Sequence, residues 1–470
     1  MARKFKKRLV EQVEIIDLGD RGKGIAKDPS GQVIFVEEQV APGDVVDILV
    51  YKKRKGSLLG TVKQTHQFSK NRVEPFCQHF GSCGGCKFQH ISYPEQLAYK
   101  QRVVENALLR IGKIEVEDFQ PILGVQETTY YRNKLEFSFS NKKWLSREQL
   151  NNPEISNTEN VLGFHGPGTW DKVVDINHCY LQADPSNDLR NAAREIAQEQ
   201  NLTFHDARAH EGFLRNMVVR LATTGEMMTI VSFHEFDHQK ISNFLNALLE
   251  KIPQLTSVFY CINDKLNDSL ADREMIHFFG KKWMEEKLGD VKFKIGPKSF
   301  FQTNSKQTIG LYDTVKDFAE LSGKENVYDL YTGLGSIGLY LAEQCKQIVG
   351  IEEVAAAIED AKENAAFNDI ENAVFYAGDV KNILTKDFSK KHGKPDVVIT
   401  DPPRSGMHKQ VVEMLLELAA PKIVYVSCKP STQARDLNLL KEKYDVVKVR
   451  AVDMFPHTHH IETVALLKLR

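Results

Sequence analysis

The sequence has no long apolar run and almost no net charge. No hydrophobic segment approaches the roughly 18 residues that a membrane-spanning helix needs. Residues 1–9 are basic but lack the apolar core of a secretory signal, and the formal net charge of the 470 residues is −1. A protein that is basic overall, and binds nucleic acid with its whole surface, is therefore excluded. We expect a cytoplasmic protein without a membrane partner, and the length predicts more than one domain.

Positive charge is concentrated near the N-terminus, where residues 1–73 hold 15 Lys and Arg against 9 Asp and Glu. Residues 10–66 consist of short apolar segments separated by glycine and proline turns, which is typical of a small β-barrel. Residues 1–8 form a basic arm. Residues 52–55 (Lys-Lys-Arg-Lys) are predicted on one turn, which faces either a phosphate backbone or solvent.

The chain contains seven cysteines, which in a cytoplasmic protein favours free, catalytic or metal-binding thiols over disulfides. Three of them form the motif Cys77-x5-Cys83-x2-Cys86, and the glycines around it let the loop wrap a metal centre. Zinc would need a fourth ligand, which could be Cys179 or one of His79, His90 and His178. An iron–sulfur cluster would need a fourth thiolate, and the candidate is Cys179. Spacing alone leaves both metals open.

Residues 327–338 predict a buried strand, a glycine turn and the start of a helix. Gly333, Gly335 and Gly338 fit G-x-G-x-x-G, the pattern of a nucleotide-binding turn. Gly333 permits the tight turn, Gly335 lets a ligand approach the backbone, and Gly338 allows close packing of helix and strand. Sites for NAD, FAD and S-adenosylmethionine all use such a turn. The strands and helices that follow alternate, which predicts a doubly wound α/β sheet ending in an antiparallel pair.

Four polar residues end successive strands of this predicted sheet: Glu352, Asp379, Asp401 and Cys428. Because ligands of open α/β sheets bind at the carboxyl ends of the strands, we expect these side chains on one edge. A cysteine there is placed as a nucleophile, and the neighbouring Lys429 would favour its thiolate.

Several motifs together resemble those of the RNA uracil-5-methyltransferases. They are Tyr-Thr-Gly-x-Gly-x-x-Gly, Thr400-Asp-Pro-Pro-Arg-Ser-Gly406, Val426-Ser-Cys-Lys-Pro430 and His460-Ile-Glu-Thr-Val464. The N-terminal segment resembles the TRAM domain, an OB-like RNA-binding barrel, in its Gly22-x-Gly24-x-Ala26 step and Ala-Pro-Gly-Asp44 turn. With the cysteine triplet, this resemblance points to the iron–sulfur branch that modifies 23S ribosomal RNA, and it covers nearly the whole chain.

The resemblance implies three domains: a TRAM barrel (1–68), a central α+β domain with an iron–sulfur cluster (69–285) and a Rossmann-like doubly wound methyltransferase domain (286–470). It implies a [4Fe–4S] cluster on Cys77, Cys83, Cys86 and Cys179. S-adenosylmethionine would be held by Gln302, Tyr331, Gly333, Gly335, Glu352, Asp379 and Asp401. Cys428 would add to C6 of a uridine, and Glu462 would remove the proton from C5. The expected partner is 23S ribosomal RNA, bound by a monomer.

Other interpretations remain open. The same chemistry could act on a tRNA uridine. The Asp401-Pro-Pro-Arg404 loop is similar to acidic loops that hold an exocyclic amine, so an amino-methyltransferase without a nucleophile is a rival. A non-catalytic RNA-binding protein would not need Cys428 or Glu462. A dehydrogenase would need a hydride acceptor site, for which the sequence has no signal.

Overall fold

The computed structural model describes residues 5–54 and 56–470, without the side chains of Asp20 and Arg147. Residues 1–4 of the predicted basic arm and Lys55 of the predicted basic turn lie outside this part. None of the helices in the described part combines the length and the apolar composition that a membrane crossing requires.

The N-terminal strands form one six-stranded sheet in the order β1-β5-β6-β4-β3-β2. The strands are β1 (Arg8–Glu14), β2 (Asp17–Leu18), β3 (Gly24–Lys27), β4 (Val33–Val36), β5 (Val45–Arg54) and β6 (Ser57–Gln67). Alternate residues of β5, Val46, Ile48 and Val50, point into a shared apolar core, as period-2 patterning requires. Lys52 and Lys53 are exposed at the end of β5 rather than on the turn itself.

The middle of the chain forms a seven-stranded sheet in the order β10-β9-β8-β11-β12-β13-β14. Its elements are β8 (Lys134–Ser140), α2 (Arg147–Leu150), β9 (Val161–His165), β10 (Val173–Asp175), α3 (Ser186–Glu199), β11 (Leu214–Leu221), β12 (Met227–Phe233), α4 (His238–Lys251), β13 (Ser257–Ile262) and β14 (Ile276–Gly280), preceded by α1 (Tyr93–Ala107) and β7 (Asp118–Leu123). Helices α3 and α4 share one apolar core with this sheet.

The C-terminal part begins with the hairpin β15 (Met284–Leu288) and β16 (Val291–Ile295). The elements that follow are α5 (Ser305–Ala319), β17 (Asn326–Leu330), α6 (Ser336–Leu341), β18 (Gln347–Glu352), α7 (Ala355–Phe367), β19 (Ala373–Ala377), α8 (Val380–Ile383), α9 (Lys386–His392), β20 (Val397–Thr400), α10 (Lys409–Leu418), β21 (Lys422–Ser427), α11 (Pro430–Leu440), β22 (Tyr444–Val452) and β23 (Glu462–Leu469).

Strands β17 to β23, together with β7, build an eight-stranded sheet in the order β19-β18-β17-β20-β21-β23-β22-β7. Strands β17 to β21 are parallel to one another, and β23 is antiparallel to both β21 and β22. Side chains of β17 alternate between two apolar cores, Val327 on one face and Tyr328 on the other. The predicted doubly wound sheet with a final antiparallel pair is confirmed.

The edge strand β7 comes from the range that the sequence placed in the central domain. It pairs in parallel with β22, with Asp118 opposite Lys448. Val104 and Ala107 of α1 are likewise buried in the core beneath this sheet. Residues 93–123 therefore pack with the C-terminal sheet, while the division at residues 68 and 285 stays a prediction.

Candidate active site

The glycine-rich turn joins β17 to α6 and is held against the neighbouring strand β18. The backbone N–H groups of Tyr331 and Thr332 donate to the carbonyl oxygen of Ile351, at 2.9 and 3.1 Å. Gly333 has a φ of +57°, and a Cβ added there would meet nothing within 4 Å. Its N–H donates to Oε2 of Glu352 at 3.2 Å. The open stretch of backbone, where a ligand can approach, is therefore at Gly333.

Gly335 is crowded instead of open. It has a φ of +84°, and a Cβ would lie 3.2 Å from both the Leu339 and Phe375 side chains. Side chains of the core occupy the space that a Cβ would need at Gly335, while the approach of a ligand to the Gly335 backbone stays a prediction. The left-handed backbone conformation is what favours glycine there.

A buried carboxyl group supports the turn from beneath. Asp329 accepts hydrogen bonds from the Thr332 hydroxyl at 2.5 Å and from the Gly338 N–H at 3.1 Å. A Cβ on Gly338 would lie 3.0 Å from Asp329 Oδ2, so the predicted close packing at Gly338 is confirmed. Burial raises the pKa of Asp329 to about 7.

The predicted carboxyl-edge residues do lie together. Tyr331, Asp401 and Cys428 each follow the last residue of a strand, Glu352 ends β18, and Asp379 lies two positions after β19. Burial raises the pKa of Tyr331 to about 12, and the negative charges of Asp379 and Glu352 add to this rise. Side chains from three neighbouring strands therefore converge on one edge.

Asp379 also has a local structural role. Its side chain caps α8 by accepting from the Lys381 N–H at 3.1 Å, and it pairs with Lys381 Nζ at 2.7 Å. This pairing lowers the pKa of Asp379, so the carboxylate is charged at neutral pH.

Gln302 lies in the segment between β16 and α5 and is half-buried. Its backbone carbonyl oxygen accepts a hydrogen bond from Asn133 Nδ2 at 2.8 Å. Two positions later, Asn304 caps α5 and donates to the carbonyl oxygen of Met454 at 3.0 Å. The segment that carries Gln302 is thereby tied to the loop that leads into β23.

Cys428 and Glu462 face each other across two antiparallel strands. Ser427, the last residue of β21, pairs with Thr463 of β23. Cys428 follows Ser427 and Glu462 precedes Thr463, so both residues adjoin this last pair of the two strands. The charge of Glu462 acts on the Cys428 thiol, so the two groups lie close enough to interact. Because β23 runs against β21, its first residue lies at the edge where the parallel strands end.

The electrostatics of this pair depend on burial and on two charged neighbours, Asp401 and Arg404. Glu462 is 4% exposed; burial raises its pKa well above the ordinary value, the charge of Asp401 adds to this, and Arg404 opposes it. Burial also raises the pKa of the Cys428 thiol to about 11, with Glu462 and Asp401 adding to the rise. Burial raises the pKa of Asp401 itself to about 7.

Arg404 is the cation that acts on Cys428, through its charge and a hydrogen bond, and it lowers the thiol pKa. The sequence pointed to Lys429, whose backbone N–H instead donates to Ser427 Oγ at 3.1 Å at the start of α11. The error came from using proximity along the chain. Arg404 was present in the Asp-Pro-Pro-Arg motif, but only the folded loop brings it to the thiol.

A second candidate site is a cavity of about 400 Å³ in the middle of the chain. The four cysteines predicted as ligands all line it: Cys77, Cys83, Cys86 and Cys179. All four are free thiols. Burial raises the pKa of Cys83 to about 11 and of Cys86 to about 12, and the other thiolates add to both rises. Four such thiols need a positive centre or protons to be stable together.

Hydrogen-bond donors nevertheless point at each sulfur and favour its thiolate. The donors are the backbone N–H groups of His79 and Phe80 for Cys77, that of Gly85 for Cys83, the side chain of Gln89 for Cys86 and the backbone N–H of Leu181 for Cys179. Within residues 5–54 and 56–470, no three His, Cys, Asp or Glu side chains are placed to hold a single metal ion.

Each histidine considered as a fourth ligand has its Nε2 in a hydrogen bond, although His79 and His178 also line the cavity. His79 Nε2 accepts from the Asn177 N–H at 3.1 Å, and His178 Nε2 is hydrogen-bonded to the Tyr130 hydroxyl at 3.1 Å. His90 Nε2 donates to the carbonyl oxygen of Val40 at 3.1 Å. The fourth thiol, Cys179, is therefore the better match to the triplet.

The cysteine segment and the loop before Glu462 are directly hydrogen-bonded. The backbone N–H groups of Lys87 and Phe88, which follow Cys86, donate to the carbonyl oxygen of His457 at 2.7 and 3.0 Å. The His457 N–H in turn donates to Gln96 Oε1 at 2.9 Å. Residues 453–461, called here the base loop, thus rest on the cysteine segment and on α1.

Comparison with known proteins agrees with this architecture. Residues 278–470 match the tRNA (uracil-5-)-methyltransferase family, and residues 4–63 match the TRAM domain. An uncharacterised RNA methyltransferase of Bacteroides thetaiotaomicron is 50% identical over 452 residues, covering 96% of this chain and 99% of the relative. One of Porphyromonas gingivalis is 48% identical over 462 residues, covering 97% and 99%.

Among solved structures, the tRNA (uracil-54, C5)-methyltransferase of Pyrococcus abyssi, in complex with S-adenosyl-L-homocysteine, has a TM-score of 0.75 and 29% identity. The match covers 97% of this chain and 100% of that one. The fold and the turn are thus those of an S-adenosylmethionine-dependent methyltransferase. More narrowly, this chain belongs to the uracil-5 RNA methyltransferases, with a TRAM domain at its N-terminus.

Proposed function

We propose that this chain transfers a methyl group to C5 of a uridine in 23S ribosomal RNA through a covalent bond between Cys428 and C6. The observation that carries the proposal is the antiparallel pairing of β21 and β23, which ends at Ser427 and Thr463 and so brings Cys428 and Glu462 near each other. A nucleophile and a base that lie side by side can act on adjacent atoms of one pyrimidine ring.

The methyl donor would lie along the carboxyl edge. S-adenosylmethionine supplies an electrophilic methyl group when it is bound. The residues proposed to hold it are Gln302, Tyr331, Gly333, Gly335, Glu352, Asp379 and Asp401. The open backbone at Gly333 and the carboxylate of Glu352 beside it suit a ribose with two hydroxyls. Asp379 would face the adenine end, and Asp401 would lie between the donor and the target base.

The chemistry assigns separate steps to the two residues. Uracil C5 is too weak a nucleophile to be methylated directly. The Cys428 thiolate adds to C6, which makes an enolate and turns C5 into the attacking carbon. After C5 has taken the methyl group, Glu462 removes the C5 proton, the bond between C6 and sulfur breaks, and the thiolate leaves. The free thiolate and the 5-methyluridine ring are restored, and one proton has moved to Glu462.

The electrostatics suit these roles. Burial raises the pKa of Glu462, which makes its carboxylate a stronger base than an exposed one. Arg404 favours the charged forms of both Glu462 and Cys428. We therefore propose that Arg404 stabilises whichever of the two groups is negative as the reaction proceeds.

The cysteine cavity is proposed to hold a [4Fe–4S] cluster on Cys77, Cys83, Cys86 and Cys179. Support comes from four thiols around one cavity of about 400 Å³ and from the donors aimed at each sulfur. A cluster separates its thiolates more widely than a single ion does, which is compatible with a cavity in which no three ligands converge on one point. No catalytic step passes through the cluster.

The identity of the RNA has two candidates. The cysteine triplet together with the TRAM domain favours 23S ribosomal RNA, through the resemblance to the iron–sulfur branch. The Pyrococcus abyssi enzyme is named for a tRNA uracil, which favours tRNA as the second candidate. Mapping 5-methyluridine in ribosomal and transfer RNA from cells with and without the gene separates the two, since only the true substrate loses the modification.

The covalent mechanism is tested with RNA in which 5-fluorouridine replaces uridine. Glu462 cannot remove fluorine as it would a proton, so we expect a methylated protein–RNA adduct that survives denaturing electrophoresis. Cys428→Ala should form none. An amino-methyltransferase, which needs no nucleophile, would form no adduct with either protein, and that result would overturn the mechanism.

A further inference from the structure

A group of aromatic rings lies on the surface between the cysteine cavity and the base loop. We call it the aromatic patch. Its members are Phe76, Tyr130, His178 and Tyr180. Phe76 also contacts the ring of His457, which is buried in the base loop. Phe76 is 39% and Tyr130 41% exposed, although both rings are large and apolar. A cluster of exposed aromatics of this kind marks an interaction surface more often than a core.

The rings meet edge to face. The centroids of Phe76 and Tyr180 are 5.2 Å apart at 74°, and those of Phe76 and His457 are 5.1 Å apart at 71°. The rings of His178 and Tyr180 are 4.4 Å apart at 63°. An edge-to-face contact covers only one face of one of the two rings, so the remaining faces can take a further planar group.

Tyr130 is held in an unusual backbone conformation. Its φ is +53°, in the left-handed region that bulky residues avoid. The conformation is maintained by its N–H, which donates to the carbonyl oxygen of Tyr180 at 2.7 Å, and by its hydroxyl, which is hydrogen-bonded to His178. Strained backbone conformations of this kind are concentrated at functional sites. Here the strained residue carries a ring that is exposed and is not part of the apolar core.

Positive charge adjoins the patch. Arg132 and Lys134 line the same cavity as His178 and Tyr180. Burial lowers the pKa of Lys134, and the charges of Arg220 and Arg132 add to this effect, while Glu136 opposes it. Exposed rings beside cationic side chains, here Arg132 and Lys134, are the combination that binds single-stranded nucleic acid. Its bases stack on the rings, and its phosphates pair with the cations.

We infer that the aromatic patch stacks unpaired bases of the RNA strand next to the target uridine, an inference that rests on the proposed function. The target base must leave its own stack to present C5 and C6 to Cys428 and Glu462. Its neighbours then lose a stacking partner. The patch can replace that partner, because its member Phe76 contacts His457 of the base loop, and this loop leads directly into Glu462.

The test measures binding of three fluorescent probes: oligoadenylate, oligouridylate and an abasic sugar–phosphate oligomer of the same length. Tyr130→Leu should weaken binding of oligoadenylate roughly tenfold, and of oligouridylate less, because purines stack more strongly. Binding of the abasic oligomer and the salt dependence should not change, since no phosphate contact is removed. Tyr130→Phe should keep wild-type affinity.

Phe236→Leu is the matched control, because Phe236 is 63% exposed but lies outside the patch. It should leave all three affinities unchanged. Phe76→Leu should resemble Tyr130→Leu, with metal content measured because Phe76 adjoins Cys77. An equal loss for the abasic oligomer, or no loss for oligoadenylate, overturns the inference.

The proposed function is tested by a separate measurement, the methylation of RNA by the Cys428→Ala protein. If Cys428→Ala still methylates RNA while Tyr130→Leu binds oligoadenylate more weakly, the proposed catalytic roles are wrong and the proposed role of the aromatic patch is supported. If Cys428→Ala is inactive and Tyr130→Leu binds oligoadenylate normally, the patch is wrong and the mechanism stands.

Discussion

Lys100 and Asp453 form an ion pair of 2.6 Å in which neither side chain is exposed, although 353 positions separate them in the chain. Lys100 also donates to the carbonyl oxygen of Phe455 at 3.0 Å, and Asp453 accepts from the Tyr93 hydroxyl at 3.0 Å. Helix α1 therefore holds the first residues of the base loop, and through that loop it supports Glu462.

Removing one partner of this pair should be severely destabilising. Lys100→Met leaves the Asp453 carboxylate buried without its cation, which typically costs about 3–5 kcal/mol. We expect urea unfolding to show a loss of this size. The double variant Lys100→Met/Asp453→Leu should recover much of it. Lys409→Met, which breaks an exposed pair with Glu413, should change little. A Lys100→Met protein as stable as wild type would contradict the buried pair.

Asp329 should make stability depend on pH. Its folded pKa of about 7 lies above the ordinary 3.8, so the folded state holds a proton that the unfolded state has lost. The contribution of Asp329 to stability is therefore greatest below about pH 4 and falls as pH rises to about 7. A difference of this size corresponds to about 4 kcal/mol. Asp329→Asn should flatten the change in unfolding free energy across this window. An unchanged slope would mean that Asp329 is charged when folded.

The cation beside Cys428 can be tested by alkylation. Arg404→Gln removes the charge that lowers the thiol pKa, so iodoacetamide should modify Cys428 more slowly at any given pH, and its pH profile should move upward. Arg404→Lys should keep part of the effect, and Lys429→Gln should have none. Peptide mass spectrometry resolves Cys428 from the other thiols. A larger effect from Lys429→Gln would reverse the assignment.

The cysteine site predicts a brown protein that contains iron. Cys179→Ser should lower both iron content and soluble yield, since ligation of a cluster is coupled to folding. Cys345→Ser is the control, because Cys345 is buried near the Leu341 and Ala342 carbonyls, away from the cavity. It should keep full iron. Metal analysis that finds one zinc and no iron would exclude the cluster.

The basic end of β5 should contribute to RNA binding through charge alone. Replacing Lys52, Lys53 and Arg54 by Gln removes three exposed cations, which should reduce the salt slope of single-stranded RNA binding by up to about 2. Affinity for S-adenosylmethionine should hardly change. The matched control is Lys390→Gln with Lys391→Gln on α9. An unaltered salt slope would show that this hairpin faces solvent in the complex.

Local signals in the sequence were sufficient for much of the site. The strand, turn and helix around Gly333 could be predicted because each signal spans only a few residues. The polar residues Glu352, Asp379 and Asp401 could be assigned to one edge because parallel strands end on the same side of a sheet. The pairing of a nucleophile with a base followed from the resemblance of the Cys428 and Glu462 motifs.

Only the tertiary structure determined the contacts between residues that are distant in the sequence. Three such contacts join segments that are far apart in sequence. They are the pairing of β21 with β23 that brings Cys428 near Glu462, the addition of β7 to the sheet edge, and the Lys100–Asp453 ion pair. Arg404 rather than Lys429 acts on the thiol because a folded loop, not adjacency, sets the distance between charges. Hydrophobic periodicity and turn-forming residues determine individual helices, strands and turns over a few residues. Strand register and buried ion pairs depend on how those helices and strands pack together.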